Sequence, residues 1–181
     1  MKALPSAVFL DRDGTIIKDA KYISRPEQVE LISGAAEAVS RINAALVPVI
    51  VVTNQSGIGR GLFSQADYER VQARTEELLA QRGARIDATY LCPHEPGENC
   101  RCRKPGTLLF ERASADLGVE LASALFIGDR LRDIEPAARF GARAVLVPTA
   151  TTPLEEIVSA KKSARVADSL DTALDWFLCT N

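Results

Sequence analysis

The chain has 181 residues, 46% of them hydrophobic, with a formal net charge of −2 and a pI near 5.5. That length supports one domain with a sizeable core. The acidic balance lacks the basic footprint of a nucleic-acid binder, and no apolar run approaches a membrane span. One lysine precedes the first apolar strand, which leaves no room for a cleavable signal. The expectation is a single cytoplasmic domain over residues 1–181, a monomer with no nucleic-acid or membrane partner.

In chain order, Ala7-Val8-Phe9-Leu10 reads as a short buried strand. It runs directly into Asp11-Arg12-Asp13-Gly14-Thr15. Two carboxylates two residues apart at a strand end can both face one site, one to attack an electrophile and the other to handle protons. The bland alternative is an Asp-rich turn closing the strand. Gly34 to Ala45 is predicted helical, with Ala35, Val39 and Ile42 on one face. Val49 to Val52 is a second buried strand that ends in Thr53, Asn54 and Gln55. Ser64 is the expected N-cap of a helix running to Arg82, with Gly83 as its C-terminal cap. Ala88 to Leu91 is a short third strand, and Leu108 to Leu117 a helix ended by Gly118.

Leu125-Phe126-Ile127 is another apolar strand, closed by Gly128 and Asp129, with Asp133 four residues later. A helix is expected from Asp133, as its cap, to Phe140, stopping at Gly141. Ala144 to Val147 is a further strand. Thr152-Pro153-Leu154-Glu155 has the form of a capping box with Pro153 at the first helical position, which predicts a helix to about Lys161. Ser169 to Leu178 reads as a last amphipathic helix. Strands alternating with helices imply an α/β fold, a doubly wound parallel sheet in three layers. Ligands of such sheets bind outside the carboxyl ends of the strands, so one site could collect Asp11, Thr53 and Asp129.

Three of the four cysteines lie within eleven residues of one another, in Cys92-Pro93-His94 and Cys100-Arg101-Cys102. In a cytoplasmic chain such a cluster points to metal ligation, with a disulfide or free buried thiols as the alternatives. Cys92, His94, Cys100 and Cys102 make a closed Cys₃His zinc set, structural because four protein ligands leave no open position. His94 is the only histidine of the chain. Cys179 is read as a packed or exposed thiol. Arg103 and Lys104 follow Cys102 directly, so a metal at Cys102 would limit where both cations sit.

The order carboxylate pair, hydroxyl, lysine, acid pair is similar to the haloacid dehalogenase superfamily of phosphohydrolases. The intervals from Asp13 to Thr53 and from Thr53 to Lys104 are too short for a lid domain, which resembles its capless members. The run Thr53-Asn54-Gln55-Ser56-Gly57-Ile58-Gly59-Arg60-Gly61, and the cysteine loop running into Arg103-Lys104-Pro105, resemble the D-glycero-D-manno-heptose 1,7-bisphosphate phosphatases. Histidinol-phosphate phosphatase domains are close relatives. The resemblance extends from about Ala7 to Val147.

It implies a Rossmann-like, capless phosphatase with a zinc-binding loop at 92–102, acting on a small phosphorylated sugar. Asp11 would be the nucleophile, giving an aspartyl-phosphate, and Asp13 the acid and base. Mg²⁺ would be held by Asp11, the Asp13 backbone carbonyl and Asp129, with Asp133 behind them. Thr53 would donate to a phosphoryl oxygen, and Lys104 would neutralise charge on the transferring group. Arg103 would hold the distal part of the substrate. Asp19, Ala20, Lys21 and Tyr22, then Asn54, Gln55, Ser56, Arg60 and Arg130, would supply further substrate contacts. The alternatives are a histidinol-phosphate or other sugar-phosphate phosphatase and, in a different class, a non-catalytic phosphosugar-binding regulator.

Overall fold

The computed structural model describes residues 4–178; Cys179 lies outside them. Six strands form one fully parallel sheet in the order β3-β2-β1-β4-β5-β6. They are β1 Val8–Leu10, β2 Val49–Asn54, β3 Ala88–Cys92, β4 Leu125–Gly128, β5 Arg143–Leu146 and β6 Arg165–Val166. The helices are α1 Ala35–Ala44, α2 Ser56–Gly59, α3 Gln65–Ala80, α4 Leu108–Leu117, α5 Leu131–Phe140, α6 Leu154–Ala160 and α7 Leu170–Leu178. The order reverses between β1 and β4, where Leu10 pairs with Ile127. That switch point is where open parallel sheets bind ligands.

The strand sequences are near-continuous apolar runs because both faces are covered. Val8, Leu10, Val49, Val51, Leu125 and Ile127 face one layer with Val39 and Ile42 of α1 and Leu174 of α7. The alternate residues Phe9, Ile50, Val52 and Phe126 face the other layer with Leu109 and Phe110 of α4 and Ala137 of α5. On that second face Phe126 lies at the centre of an aromatic cluster, its ring centroid 4.9 Å from Phe9, 5.0 Å from Phe110 and 6.1 Å from Phe140. Between β1 and β2 lie a 3-10 turn, Pro26–Gln28, and α1. Only α2 and α3 intervene between β2 and β3, so no lid element occupies either interval among the described residues. No helix among them is long and apolar enough to cross a membrane.

The helix expected to run to Arg82 ends at Ala80. Gly83 takes a positive φ of 70° three residues on and closes the turn by donating to Ala80 O. Helix α5 begins at Leu131, not Asp133. Asp133 is its third residue, and its Oδ2 accepts the Arg130 N–H at 3.0 Å, reaching back in the manner of the second half of a capping box. The capping box expected at Thr152 does not form. Pro153 is the N-cap of α6, and the Thr152 hydroxyl instead donates to Asp129 O at 2.8 Å. Neither β6 nor the four-residue α2 has a sequence signal of its own; β6 is two residues on the sheet edge, ordered by pairing with β5.

Phe126→Ala removes the centre of the aromatic cluster. It is expected to lower unfolding free energy by about 3–5 kcal/mol, read from a urea unfolding midpoint at unchanged m-value.

Candidate active site

Asp11 is the first residue beyond β1, and its N–H donates to Ile127 O of β4 at 3.1 Å. Asp129 is the first residue beyond β4, and Asp133 lies on the first turn of α5. All three are buried. One carboxylate oxygen from each lies within 4.8 Å of the others. The Lys104 ammonium enters this group. Its Nζ is 2.7 Å from Asp11 Oδ1, 2.8 Å from Asp133 Oδ1 and 2.6 Å from the Val52 carbonyl oxygen. Three partners match the three N–H donors of an ammonium. Lys104 is placed by Asn54, whose side-chain amide donates to Lys104 O at 3.2 Å and accepts from Lys104 N at 3.0 Å. The Lys104–Pro105 peptide is cis.

Asp11 and Asp133 share the one buried ammonium, and Asp129 lies beside them with Arg130 Nε 3.5 Å from its Oδ2, so the buried carboxylates outnumber the buried lysine. Burial pushes Asp11 up to about 6, with Lys104 pulling down and Asp133 and Asp13 pushing up. Burial also pushes Asp129 up to about 7, reinforced by Asp11 and Asp133 and opposed by Arg130 and Arg132. For Lys104, burial favours the neutral amine, but Asp11 and Asp133 outweigh it and hold the group above its ordinary value. Asp129 Oδ1 is buried and has no hydrogen-bond partner. A cluster of oxygen ligands with surplus charge and an unused lone pair fits a hard divalent cation. Gly14, at φ 89°, closes one side, where a Cβ would meet the Asp129 carboxylate at 2.5 Å. Any larger residue would close the space beside that oxygen.

Asp13 lies beside this cluster. Its Oδ2 accepts from Gln55 Nε2 at 2.8 Å, and the same nitrogen reaches Thr53 Oγ1 at 2.8 Å. A cleft of about 460 Å³ opens above Asp11, Asp13, Thr53, Lys104 and Asp129. Asp19, Lys21, Tyr22, Ser56, Arg60, Arg103 and Arg130 line the rest of the cleft. Lys21 and Tyr22 both adopt positive φ, 51° and 55°, and the Asp19 carboxylate accepts the Lys21 N–H at 2.9 Å.

Ala20 is not among the residues that line the cleft, whereas its neighbours Asp19, Lys21 and Tyr22 are. Asn54 and Gln55 line it, and their amides also organise the site, Asn54 on the Lys104 backbone and Gln55 Nε2 on Asp13 and Thr53. Ile23, Gly57, Pro96 and Arg132 also line the cleft, and sequence reasoning missed all four. Arg132 stood in plain view, between Asp129 and Asp133. Asp133 and Asp129 hold its guanidinium above its ordinary value against the effect of burial.

The cysteine loop adjoins the cleft through Pro96 and Arg103, which line it, and Arg103 donates to His94 O at 3.1 Å. Cys92 ends β3 in register with Asn54. Cys92 Sγ is 3.5 Å from His94 Nδ1, 3.7 Å from Cys100 Sγ and 3.1 Å from Cys102 Sγ, and His94 Nδ1 is 3.1 Å from Cys102 Sγ. The three cysteines are free thiols, which removes the disulfide alternative. Bond lengths of about 2.3 Å to sulfur and 2.0–2.1 Å to nitrogen put tetrahedral zinc ligands roughly 3.5–3.8 Å apart. The group is therefore gathered at close to ligand spacing. Burial pushes the Cys92 and Cys102 thiols up, a cost that a thiolate-binding cation removes.

An HAD-hydrolase-like family model matches residues 101–173. The D-glycero-beta-D-manno-heptose-1,7-bisphosphate 7-phosphatase of Bordetella bronchiseptica is 36% identical over 143 residues, 78% of this chain and 80% of the relative. A probable enzyme of the same description from Thermoplasma acidophilum is 40% identical over 68% of this chain and 77% of its own length. Among solved structures, D,D-heptose 1,7-bisphosphate phosphatase from B. bronchiseptica, complexed with magnesium and phosphate, superposes with a TM-score of 0.87. It is 31% identical, covering 96% of this chain and 98% of that one.

The raised carboxyls give the metal-free protein a defined pH response. The folded state takes up protons at Asp11 and Asp129 between the unfolded value, 3.8, and about 6 to 7. Their contribution to stability is therefore greatest at the acid end of that window and is lost as pH rises through it. In chelator, the melting temperature is expected to be lower at pH 8 than at pH 5. Added Mg²⁺ should raise it more at pH 8 than at pH 5, which differential scanning calorimetry would show.

Proposed function

The chain belongs to the D-glycero-D-manno-heptose-1,7-bisphosphate 7-phosphatase family of HAD-type hydrolases, and from that membership we propose that it removes the C7 phosphate of heptose 1,7-bisphosphate through an aspartyl-phosphate. The observation that carries the reading is the Asp11 carboxylate. It sits at the switch point of the sheet, bridged by Lys104 to Asp133 and within 4.8 Å of an Asp129 oxygen, with Asp13 two residues away.

Asp11 attacks phosphorus, and its new P–O bond forms as the bond to the C7 oxygen breaks. Asp13 gives that oxygen its proton. Water then attacks the phosphorus, Asp13 takes its proton, and the bond to Asp11 breaks to release phosphate. Thr53 Oγ1, oriented by Gln55, donates to a phosphoryl oxygen, and Lys104 offsets the charge that develops on the transferring group. Mg²⁺, held by Asp11, Asp129 and the Asp13 backbone carbonyl, would supply charge neutralisation and polarisation of the phosphoryl oxygens. Zinc at Cys92, His94, Cys100 and Cys102 would fix the loop from which Arg103 and Lys104 project. The scheme uses one phosphatase domain, with loop 92–102 as its insertion, and draws every group from a single chain, in keeping with a monomer.

The sugar bisphosphate is favoured by the cations around the cleft mouth. Arg103 donates to His94 O at 3.1 Å through one terminal nitrogen, leaving the rest of its fork for a second phosphate. Heptose 1,7-bisphosphate is expected to be turned over with kcat/KM at least about tenfold above simple monophosphates, roughly 1.4 kcal/mol. Arg103→Ala should reduce that preference more than it reduces monophosphate hydrolysis. Asp11→Asn should abolish turnover; activity within about tenfold of wild type would remove the nucleophile assignment.

The zinc assignment is checked by elemental analysis of protein purified without added metal, where one zinc per chain is expected. Cys100→Ala should lose both the zinc and the activity, while Cys179→Ser keeps both. A zinc-free, folded and fully active protein would reject the assignment.

A further inference from the structure

Arg12, the residue between the two aspartates, is fully buried, with 0% exposure. A guanidinium cannot shed its charge, and a buried charge needs a counter-charge with good geometry. Asp13 supplies it. Arg12 Nε donates to Asp13 Oδ2 at 3.1 Å, and Nη2 lies between the two oxygens, donating to Oδ1 at 3.2 Å with Oδ2 at 3.1 Å. The guanidinium carbon lies 4.9 Å from the centroid of the Tyr68 ring, on the first turn of α3, a cation–π contact. Nη1 is buried without a partner, and so is the Tyr68 hydroxyl. The Arg12 carbonyl accepts from the N–H groups of Thr15, Ile16 and Ile17, which closes the turn around the side chain.

A hydrophobic side chain of similar volume could fill this place without stranding a donor. What such a residue could not do is orient a carboxylate. An ionised carboxylate has about four acceptor positions. On Asp13, Oδ2 takes Arg12 and Gln55, and Oδ1 takes Arg12. One position is left, on Oδ1, and the Asp13 side chain is 22% exposed beside the cleft.

We propose that Arg12 is the positioning residue for the acid–base carboxylate. Its two-point grip from behind the strand end sets the plane of Asp13, and with Gln55 it leaves Oδ1 as the oxygen that exchanges the proton. In the first step the proton passes from Asp13 Oδ1 to the leaving oxygen as the P–O bond breaks. In the second, a water proton returns to the same atom as water bonds to phosphorus. The inference rests on the proposed aspartyl-phosphate chemistry.

The test separates steps that need Asp13 from one that does not. Nitrophenolate leaves without a proton, so first-turnover release from p-nitrophenyl phosphate, with enzyme in excess, requires Asp11 but no acid. Arg12→Met keeps the volume and removes the grip; Arg12→Lys keeps the charge but offers a single point.

For Arg12→Met, first-turnover nitrophenolate release is expected within about threefold of wild type. First-turnover hydrolysis of heptose bisphosphate, and steady-state turnover of both substrates, should fall at least about a hundredfold, the scale of general acid–base catalysis. KM should change less than about threefold, and Arg12→Lys should recover only part of the loss.

A uniform loss on both substrates in both regimes would mark Arg12 as merely structural, and no loss at all would show that its grip is not used; either overturns the proposal. Should Arg12→Met not fold, Arg12→Lys decides by the same comparison, a selective loss supporting the proposal and a uniform loss or none overturning it. Failure of the underlying chemistry shows separately, as wild-type protein that turns over neither substrate.

Discussion

The Lys104 ammonium is the contact on which the rest of the site depends. It reaches the end of β1 through Asp11, the first turn of α5 through Asp133 and the end of β2 through the Val52 carbonyl. These three elements come from distant parts of the sequence and meet at one atom. Removing one partner of a buried pair costs about 3–5 kcal/mol, because the remaining charge is stranded. Here the stranded charge would be two carboxylates already short of counter-charge. The lysine therefore both stabilises the site and limits its negative excess to what one metal ion and an incoming phosphoryl group can share.

Holding Lys104 in place falls to the β2 side of the site. Three consecutive residues at the end of β2 carry separate tasks. Thr53 turns its hydroxyl inward, Asn54 clamps the Lys104 backbone on both sides, and Gln55 bridges Asp13 and Thr53. The Gln55 N–H donates to Cys92 O at 2.7 Å, and the Gly59 N–H to Pro93 O at 3.0 Å, so this strand end is tied to the start of the cysteine loop. The same loop ends at Cys102, two residues before Lys104. Both sides of the Asn54–Lys104 clamp thus lead back to one Cys₃His cluster, and a metal there would fix the lysine through backbone geometry alone.

Much of this was legible in the sequence because it rests on local signals. Apolar runs ending in Asp11, Thr53 and Asp129 mark strand ends, and a parallel sheet must bring such ends to one edge. The Ser64 cap, the glycines at 83, 118 and 141, and the cysteine spacing are likewise local.

What could not be read was fixed by pairing across the fold. Strand β6 exists only against β5, and Thr152 left its expected cap because Asp129 O offered a buried acceptor. Asn54 and Gln55 looked like ligand contacts from type and place. Only the tertiary arrangement shows that their amides also hold protein partners, the Lys104 backbone and the Asp13 and Thr53 side chains. Arg12 carried no signal of its own, because its ion pair with Asp13 and its contact with Tyr68 arise only once the turn beyond β1 packs against α3.

The electrostatics of the cleft divide by depth. Its floor holds Asp11 and Asp129 beside Lys104, with Asp133 buried behind the lysine, and Asp11 and Asp129 are both raised above the usual carboxylate range. Lys21, Arg60, Arg103, Arg130 and Arg132 line its walls. A phosphate dianion alone is drawn to the walls and repelled by the floor, so it lacks a reason to approach Asp11. A divalent cation alone is drawn to the floor. Bound together they satisfy both layers, the cation under the phosphoryl oxygens and the arginines above them. The charge arrangement therefore suits a divalent cation and a phosphate bound together better than either alone. A second phosphate on the proposed substrate would extend that pairing outward, to the cations that the reacting group does not use.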